Sequence, residues 1–273
     1  MTARASFTHS PDYVQSLARG LQVLRAFNHG RRRSTLSEIA AQSGLARAVA
    51  RRNLLTLQHL GYVATQDRHF FLTPRVLELG YGYLASLDLT DLAQEAMERL
   101  SQRVNESSSM AVLDGDEIVY VARVPVRRLM SVALGVGSHL PAYVTSMGRV
   151  LLAAKSPNEL KSWLQTHSFR PITPHTLHKT RALLAEILRV RRQGYAFVSQ
   201  ELESGLCSIA VPIRSASGQV VCGLNVSLRY SDDVKAIALK KMLPALQTAQ
   251  RSIEQAMARS NWQPLTVARD THD

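Results

Sequence analysis

Three arginines and an alanine, Arg47, Ala48, Arg51 and Arg52, fall within six consecutive positions. At 3.6 residues per turn they share one face of a helix, in its N-terminal half. Guanidinium groups held this way suit bidentate contacts with guanine edges and with phosphates, and the small side chain of Ala48 lets the backbone come close. On the opposite face Ala50, Leu54, Leu57 and Leu60 repeat at the spacing of a buried stripe. The pattern predicts a helix from about Ala46 to Leu60, apolar inside and cationic outside. A solvated basic face is the alternative reading. Leu55 fits neither face, and Asn53 lies at the edge of the apolar arc.

The flanking residues decide between these readings. Thr35-Leu36-Ser37-Glu38 fits a capping box that opens a preceding helix through Ile39, Ala40 and Ala41 to Ser43. Gly44 permits a sharp turn, Leu45 plugs it, and Gly61 ends the second helix. Helix, short glycine turn and helix make a helix-turn-helix, whose second helix enters the major groove by its N-terminal half. Before it, Leu17, Leu21, Leu24 and Phe27 give residues 16–28 the spacing of an amphipathic helix. After it, Tyr62-Val63-Ala64 and His69-Phe70-Phe71-Leu72 alternate about Gln66-Asp67-Arg68, a hairpin wing. Arg68 at its tip either reaches the DNA backbone or minor groove or is an exposed turn residue. The triplet Arg31-Arg32-Arg33 reads as a solvated connection or a phosphate contact. Thr35, Arg47, Ala48, Arg51, Arg52 and Arg68 form the predicted DNA-contact set.

Charge agrees with this placement. The chain of 273 residues carries +12, and its first 85 residues hold eleven Arg, no Lys and four acidic residues. Such a balance points to a polyanion, nucleic acid or an anionic membrane surface. No apolar run approaches the ~20 residues of a membrane span. The opening stretch lacks a signal-peptide core, so a cytoplasmic protein without membrane association is expected. Cys207 and Cys222 are too few for a disulfide framework or a Cys-rich zinc site.

Pro74 can start a helix through Leu84, a linker with exposed Leu and Tyr suited either to a dimer contact or to packing against its own domains. Beyond it, helix and strand patterns alternate. Helices are predicted near 91–104, 146–154, 157–165, 180–193 and 232–258. Strands are predicted at 109–113 and 118–124 about Asp114-Gly115-Asp116, then at 129–134, 196–199, 209–214 and 220–227. The expected architecture is α/β with two domains. It comprises a flexible N-terminus (1–15), a winged helix-turn-helix (16–73), a linker helix (74–90), an α/β domain (91–260) and a C-terminal tail (261–273).

Chemistry other than binding finds little support. His167, His175 and His178 have no acidic residue beside them, and no metal or cofactor is expected. There is no G-x-S-x-G, phosphate-binding glycine loop or H-E-x-x-H. Glu201-x-Glu203 reads as an exposed loop pair, and Cys207 lies in an apolar run without a base. No enzyme is expected. A protein that merely coats DNA would not need a second domain of this size.

The run from Ser16 to Leu84 resembles the winged helix-turn-helix of the IclR family of bacterial regulators. The resemblance rests on S-L-A-R-G-L (16–21), L-S-E-I-A (36–40), Gly44 to Arg52, T-L-Q-H-L-G-Y-V (56–63) and L-T-P-R-V-L-E-L-G (72–80). It extends to about residue 258, where the second domain resembles that family's GAF-like effector domain. Asn53 departs from the family's usual apolar residue. Two segments, Leu140 to Ala153 and Gln200 to Pro212, with Leu224-Asn225-Val226-Ser227, match those that line the family's effector pocket. The resemblance implies effector contacts from Ser146 and Met147 at a helix N-terminus, where free amides suit a carboxylate. It implies further contacts from Leu206, Ser208, Asn225 and Ser227, with Val198 and Gln200 at the mouth. Cys207 stands where the family usually has Arg; if that arginine supports the pocket loop or the effector's charge, another cation must substitute, with Arg149 and Arg214 as the candidates.

L-P-A-Y-V-T-S-M-G-R, Q-E-L-E-S-G-L and S-I-A-V-P-I are most similar to the family's regulators of aromatic catabolism, on the protocatechuate, 4-hydroxybenzoate and β-ketoadipate pathways. They imply an aromatic acid or a dicarboxylate derived from one as effector, and activation of a catabolic operon. Repression of another operon is the alternative, and an effector-independent DNA-binding protein a further one. One recognition helix reads few base pairs, so a homodimer or homotetramer on double-stranded operator DNA is expected. The linker helix would relay the effector state to head spacing or to RNA polymerase.

Overall fold

The computed structural model describes residues 7–28, 33–86, 89–126, 134–260 and 262–263. The chain divides into two compact units, residues 1–86 and 87–273.

The first unit holds α1 (Gln15–Arg25), β1 (Ser34–Thr35), α2 (Leu36–Ser43), α3 (Arg47–His59), β2 (Val63–Gln66) and β3 (His69–Leu72). Its strands form one antiparallel sheet in the order β1-β3-β2. Val23, Phe27, Ile39, Leu54, Leu57 and Val63 make the core. The capping box forms as expected: the Glu38 amide donates to Thr35 Oγ1 at 3.3 Å and the Thr35 amide to Glu38 Oε2 at 2.8 Å. Gly44 ends α2 at φ 66°, in the left-handed region that glycine enters without steric cost. The wing turn is Asp67-Arg68, both at positive φ, the geometry of a tight hairpin.

Three expectations need correction here. Leu17 and Leu21 are exposed, and Val23, Ala26 and Phe27 carry the burial of the first segment, because the apolar stripe lies on the outer flank of α1. Leu60 is 48% exposed, since α3 ends at His59 and Leu60 sits past the last full turn. The first wing strand runs to Gln66 rather than stopping at Ala64. A 3₁₀ turn at Pro74–Val76 leads into α4 (Leu77–Ser86), on which Leu77 and Leu79 are exposed. Arg31 and Arg32 lie outside the described residues, and Arg33 stacks its guanidinium 5.6 Å from the Phe71 ring centre.

The second unit is a six-stranded sheet between two helical layers. Its elements are α5 (Leu89–Val104), β4 (Ser108–Asp114), β5 (Glu117–Val124), β6 (His139–Pro141), α6 (Ser146–Ala154), α7 (Pro157–Thr166), α8 (Thr180–Gln193), β7 (Ala196–Ser199), β8 (Leu206–Arg214), β9 (Val220–Arg229), α9 (Val234–Ile237) and α10 (Leu243–Arg259). The sheet order is β6-β5-β4-β9-β8-β7 and every pair is antiparallel. One face packs Ile209, Val211, Leu224 and Val226 against α5 and α10. The other packs Ala111, Tyr120 and Ala210 against α6, α7 and α8. Strand alternation thus sorts neighbouring residues into two cores.

His139–Pro141, which falls in none of the predicted strands or helices, pairs with Glu117–Val119 as β6. The expected helix over 232–258 is broken by a π turn at Ala238–Met242. Pro244 has no N–H to give the carbonyl of Lys240, and the ladder widens just before it. The predicted strand at 129–134 falls, apart from Leu134, outside the described residues.

Candidate functional site

On α3 the two-faced pattern is realised. Ala50 and Leu54 are fully buried and Leu57 nearly so, while Arg47, Ala48, Arg51 and Arg52 are exposed. Ala46 precedes the helix without a side-chain cap, so the amides of Arg47 and Ala48 have no intrahelical acceptor. Three guanidinium groups and two free amides therefore share one end of one helix, an arrangement suited to phosphate and to guanine. Asn53, the departure from the resembled family, turns its Nδ2 back to the Val49 carbonyl at 2.9 Å, which satisfies it at the rim of the core. Leu55 is exposed. Arg68 is exposed on the wing turn. Thr35 is committed to its cap, where its hydroxyl also donates to Glu38 Oε2 at 3.0 Å.

In the second unit the candidate pocket residues come together on the sheet face beneath α6. Helix α6 crosses β9 at Gly223: a Cβ there would lie 3.0 Å from Met147 Cβ and 3.2 Å from Val150 Cγ2. The C-terminal half of α6 lies along a groove lined by Val150, Ala153, Ala154, Pro212 and Val220. Its N-terminus consequently points the other way along β9, towards Asn225. Thr145 Oγ1 caps the Gly148 amide at 3.0 Å, leaving the amides of Ser146 and Met147 without intrahelical acceptors.

Cross-strand register fixes the neighbours. Val198, Ser208 and Ser227 form one row, and Ala210, Asn225, Ser109 and Arg123 the next. Leu206 shares this face one step beyond Ser208. Asn225 is 4% exposed and Ser146 fully buried, yet Asn225 Oδ1 and Ser146 Oγ have no hydrogen-bond partner among the described residues. A buried acceptor without a donor is costly, about 1–3 kcal/mol, and suits a site that a ligand completes. Tyr120 shares the face; burial pushes its phenol up to about 12, against the pull of nearby Arg123.

The two arginines proposed to replace the family's usual cation are occupied elsewhere. Arg149 is 1% exposed and donates to the Tyr143 carbonyl at 3.0 Å and to Glu201 Oε2 at 2.6 Å, with Glu186 at 3.9 Å. Arg214 is exposed and donates to the Gly218 carbonyl. Glu201, expected as an exposed loop carboxylate, is buried in this pair and also accepts from the Leu177 amide at 2.8 Å. Cys207 faces the opposite core, 3.3 Å from Ser199 Oγ. Burial pushes its thiol up, against the opposing bond from Ser199. Sequence reasoning missed Arg123 and Ser109. The available signal was an arginine inside the otherwise apolar strand I-V-Y-V-A-R-V.

Among the described residues no group of three or more His, Cys, Asp or Glu could hold a metal, and no helix is long and apolar enough to cross a membrane.

Comparison with known proteins bears on both units. The profile described as the IclR helix-turn-helix domain matches residues 16–67, and that of the bacterial transcriptional regulator IclR C-terminal domain matches residues 81–255. A Pca regulon regulatory protein of Pseudomonas putida is 45% identical over 249 residues, 91% of this chain and 86% of the relative. A p-hydroxybenzoate hydroxylase transcriptional activator of Acinetobacter baylyi is 34% identical over 86% of this chain and 89% of its own. Among solved structures, an IclR homolog from Microbacterium hydrocarbonoxydans, complexed with 4-hydroxybenzoate, superposes with a TM-score of 0.77. It is 28% identical and covers 89% of this chain and 99% of its own.

Proposed function

The chain belongs to the IclR family of bacterial transcriptional regulators, and from that premise we propose that it controls genes of aromatic-acid catabolism in response to a small carboxylate. The observation that carries the DNA-reading half is α3, with leucines inside and Arg47, Arg51 and Arg52 outside. Ala48 and the wing residue Arg68 complete the contact, and Thr35 supports it by capping α2. The effector half rests on Ser146, Met147, Val198, Leu206, Ser208, Asn225 and Ser227, gathered beneath α6 around unpartnered buried oxygens. The relatives named for the Pca regulon and for p-hydroxybenzoate hydroxylase favour an aromatic acid or its ring-opened dicarboxylate as effector, and the second supports activation rather than repression. We further propose a cytoplasmic homodimer or homotetramer, because one recognition helix specifies too few base pairs alone. The effector acts by binding two arrangements of the protein with different affinity, and the gain is read at the DNA or at RNA polymerase.

The test is a gel-shift series on DNA upstream of the neighbouring operon, with and without 4-hydroxybenzoate, protocatechuate and adipate. Sequence-specific retardation altered by one of the acids is expected. The double variant Asn225→Ala with Ser227→Ala should keep DNA binding and lose the response. Retardation indifferent to sequence and to every acid would remove the proposal.

A further inference from the structure

We propose that Arg123, seated on Ser109, is the anchor for the effector's carboxylate, and that the site takes a small carboxylic acid carrying a hydroxyl about one strand spacing away. The inference rests on the pocket reading above and adds to it the charge partner that the occupied Arg149 and Arg214 do not supply. Simple alternation along β5 would put Arg123 on the face opposite Tyr120. A bulge at Val121 reverses that: Ala111 pairs with Tyr120, Met110 pairs with Ala122, and both Val121 and Ala122 turn to the α5–α10 core. Arg123 then returns to the face of Tyr120 and α6, opposite Ser109. Its Nη1 donates to Ser109 Oγ at 3.2 Å.

A guanidinium carries five donors in a planar fork. Among the described residues only the Ser109 hydroxyl accepts from this one, and no carboxylate lies within ion-pair distance of it. A half-buried cation in that condition calls for an anion, and the fork matches a carboxylate two-to-two. Ser109 in turn pairs with Asn225, whose Oδ1 is buried and unpartnered. The guanidinium thus leans over the middle strand of the row, and the unused acceptor sits on the next, about 5 Å further. An anion at one end and a donor at the other describe a hydroxy acid. The helix end at Ser146, with its own buried unpartnered hydroxyl, closes the site from above.

The probes are 4-hydroxybenzoate and protocatechuate, each beside its carboxamide, titrated into the full chain and into Arg123→Gln, Arg123→Lys and Asn225→Ala by calorimetry. Wild-type protein should prefer each acid to its amide. Arg123→Gln should weaken the acid by about 10- to 100-fold, the range of a lost charge-assisted hydrogen bond. The amide, which gains no charge-assisted bond from the guanidinium, should weaken far less, so the preference disappears. If Arg123→Gln does not fold, Arg123→Lys carries the test: losing the planar fork should cost the acid, and not the amide, several-fold. An Arg123 variant that keeps the wild-type preference overturns the inference, and with binding lost in Asn225→Ala the pocket reading stands without it. If Asn225→Ala and Arg123→Gln both bind as wild type does, the pocket reading falls too. A wild-type chain that distinguishes no acid from its amide also overturns the inference.

Discussion

Replacing Glu201 by Gln removes one negative charge and almost no volume from the second unit. Its cost follows from what the partner then lacks. Arg149 is 1% exposed, so water cannot solvate a guanidinium that loses its 2.6 Å carboxylate. The Tyr143 carbonyl remains at 3.0 Å, and Glu186, itself mostly buried, remains at 3.9 Å. Breaking a buried pair on one side typically costs about 3–5 kcal/mol. The surviving Glu186 places this case near the lower end, at about 3 kcal/mol. For a unit of this size that is roughly a 6–12 °C fall in Tm. The effect should be local in origin, because Glu201 also takes the Leu177 amide and its backbone carbonyl takes the Thr176 hydroxyl at 2.7 Å, tying three segments together. Urea denaturation of the full chain, following tryptophan fluorescence from Trp163 in the same core, measures it. The companion double variant Glu201→Gln with Arg149→Met removes both charges and should recover a large part of the loss. A single variant costing under about 1 kcal/mol, or a double variant no better than the single, would refute the reasoning that desolvation of Arg149 dominates.

Three further outcomes follow from other parts of the molecule. Arg51→Ala should lose about 1–3 kcal/mol of specific operator affinity by fluorescence anisotropy if it reads a base, while loss of a phosphate contact alone would weaken all sequences alike. Gly148→Ala should destabilise the second unit by about 1–3 kcal/mol or more in thermal melts, because a Cβ there would lie 2.0 Å from the Ala142 carbonyl oxygen. Burial pushes the Cys207 and Cys222 thiols up, so a thiol reagent should titrate neither until the chain unfolds. For the same reason stability should fall as pH rises through about 8.5, where the unfolded thiols ionise and the folded ones do not. Rapid labelling of the native chain, or stability flat across that range, would contradict the burial.

The first unit was largely legible in the sequence because its signals are local. A capping box, a left-handed glycine and the Ala50, Leu54 and Leu57 stripe each act within a few residues, and each appears where the pattern put it. Leu60 and the Leu17–Leu21 stripe were misjudged because apolar spacing does not tell a buried face from an exposed flank. In the second unit α6 and α8 begin and end where their spacing placed them. The short strand β6 was not readable, since His139-Leu140-Pro141 forms a strand only through pairing with β5. Glu201 looked like a solvated carboxylate because its partner lies 52 positions away. Arg123 was hidden by a one-residue bulge, which inverts the strand's alternation and leaves no mark in composition. The candidate pocket segments were found through family resemblance; Ser and Asn on a strand carry no such signal by themselves.

The central claim, DNA reading by α3 under the control of an acid bound beneath α6, comes down to a single titration. Fluorescence anisotropy of a labelled duplex from the adjoining upstream region, against a scrambled duplex at fixed ionic strength, should show tight binding of the first alone. Addition of the effector acid should shift that affinity in wild type, and the preference itself should vanish in the Arg47→Ala, Arg51→Ala, Arg52→Ala triple variant. Equal binding of both duplexes by wild type, or an undiminished preference in the triple variant, would contradict the account.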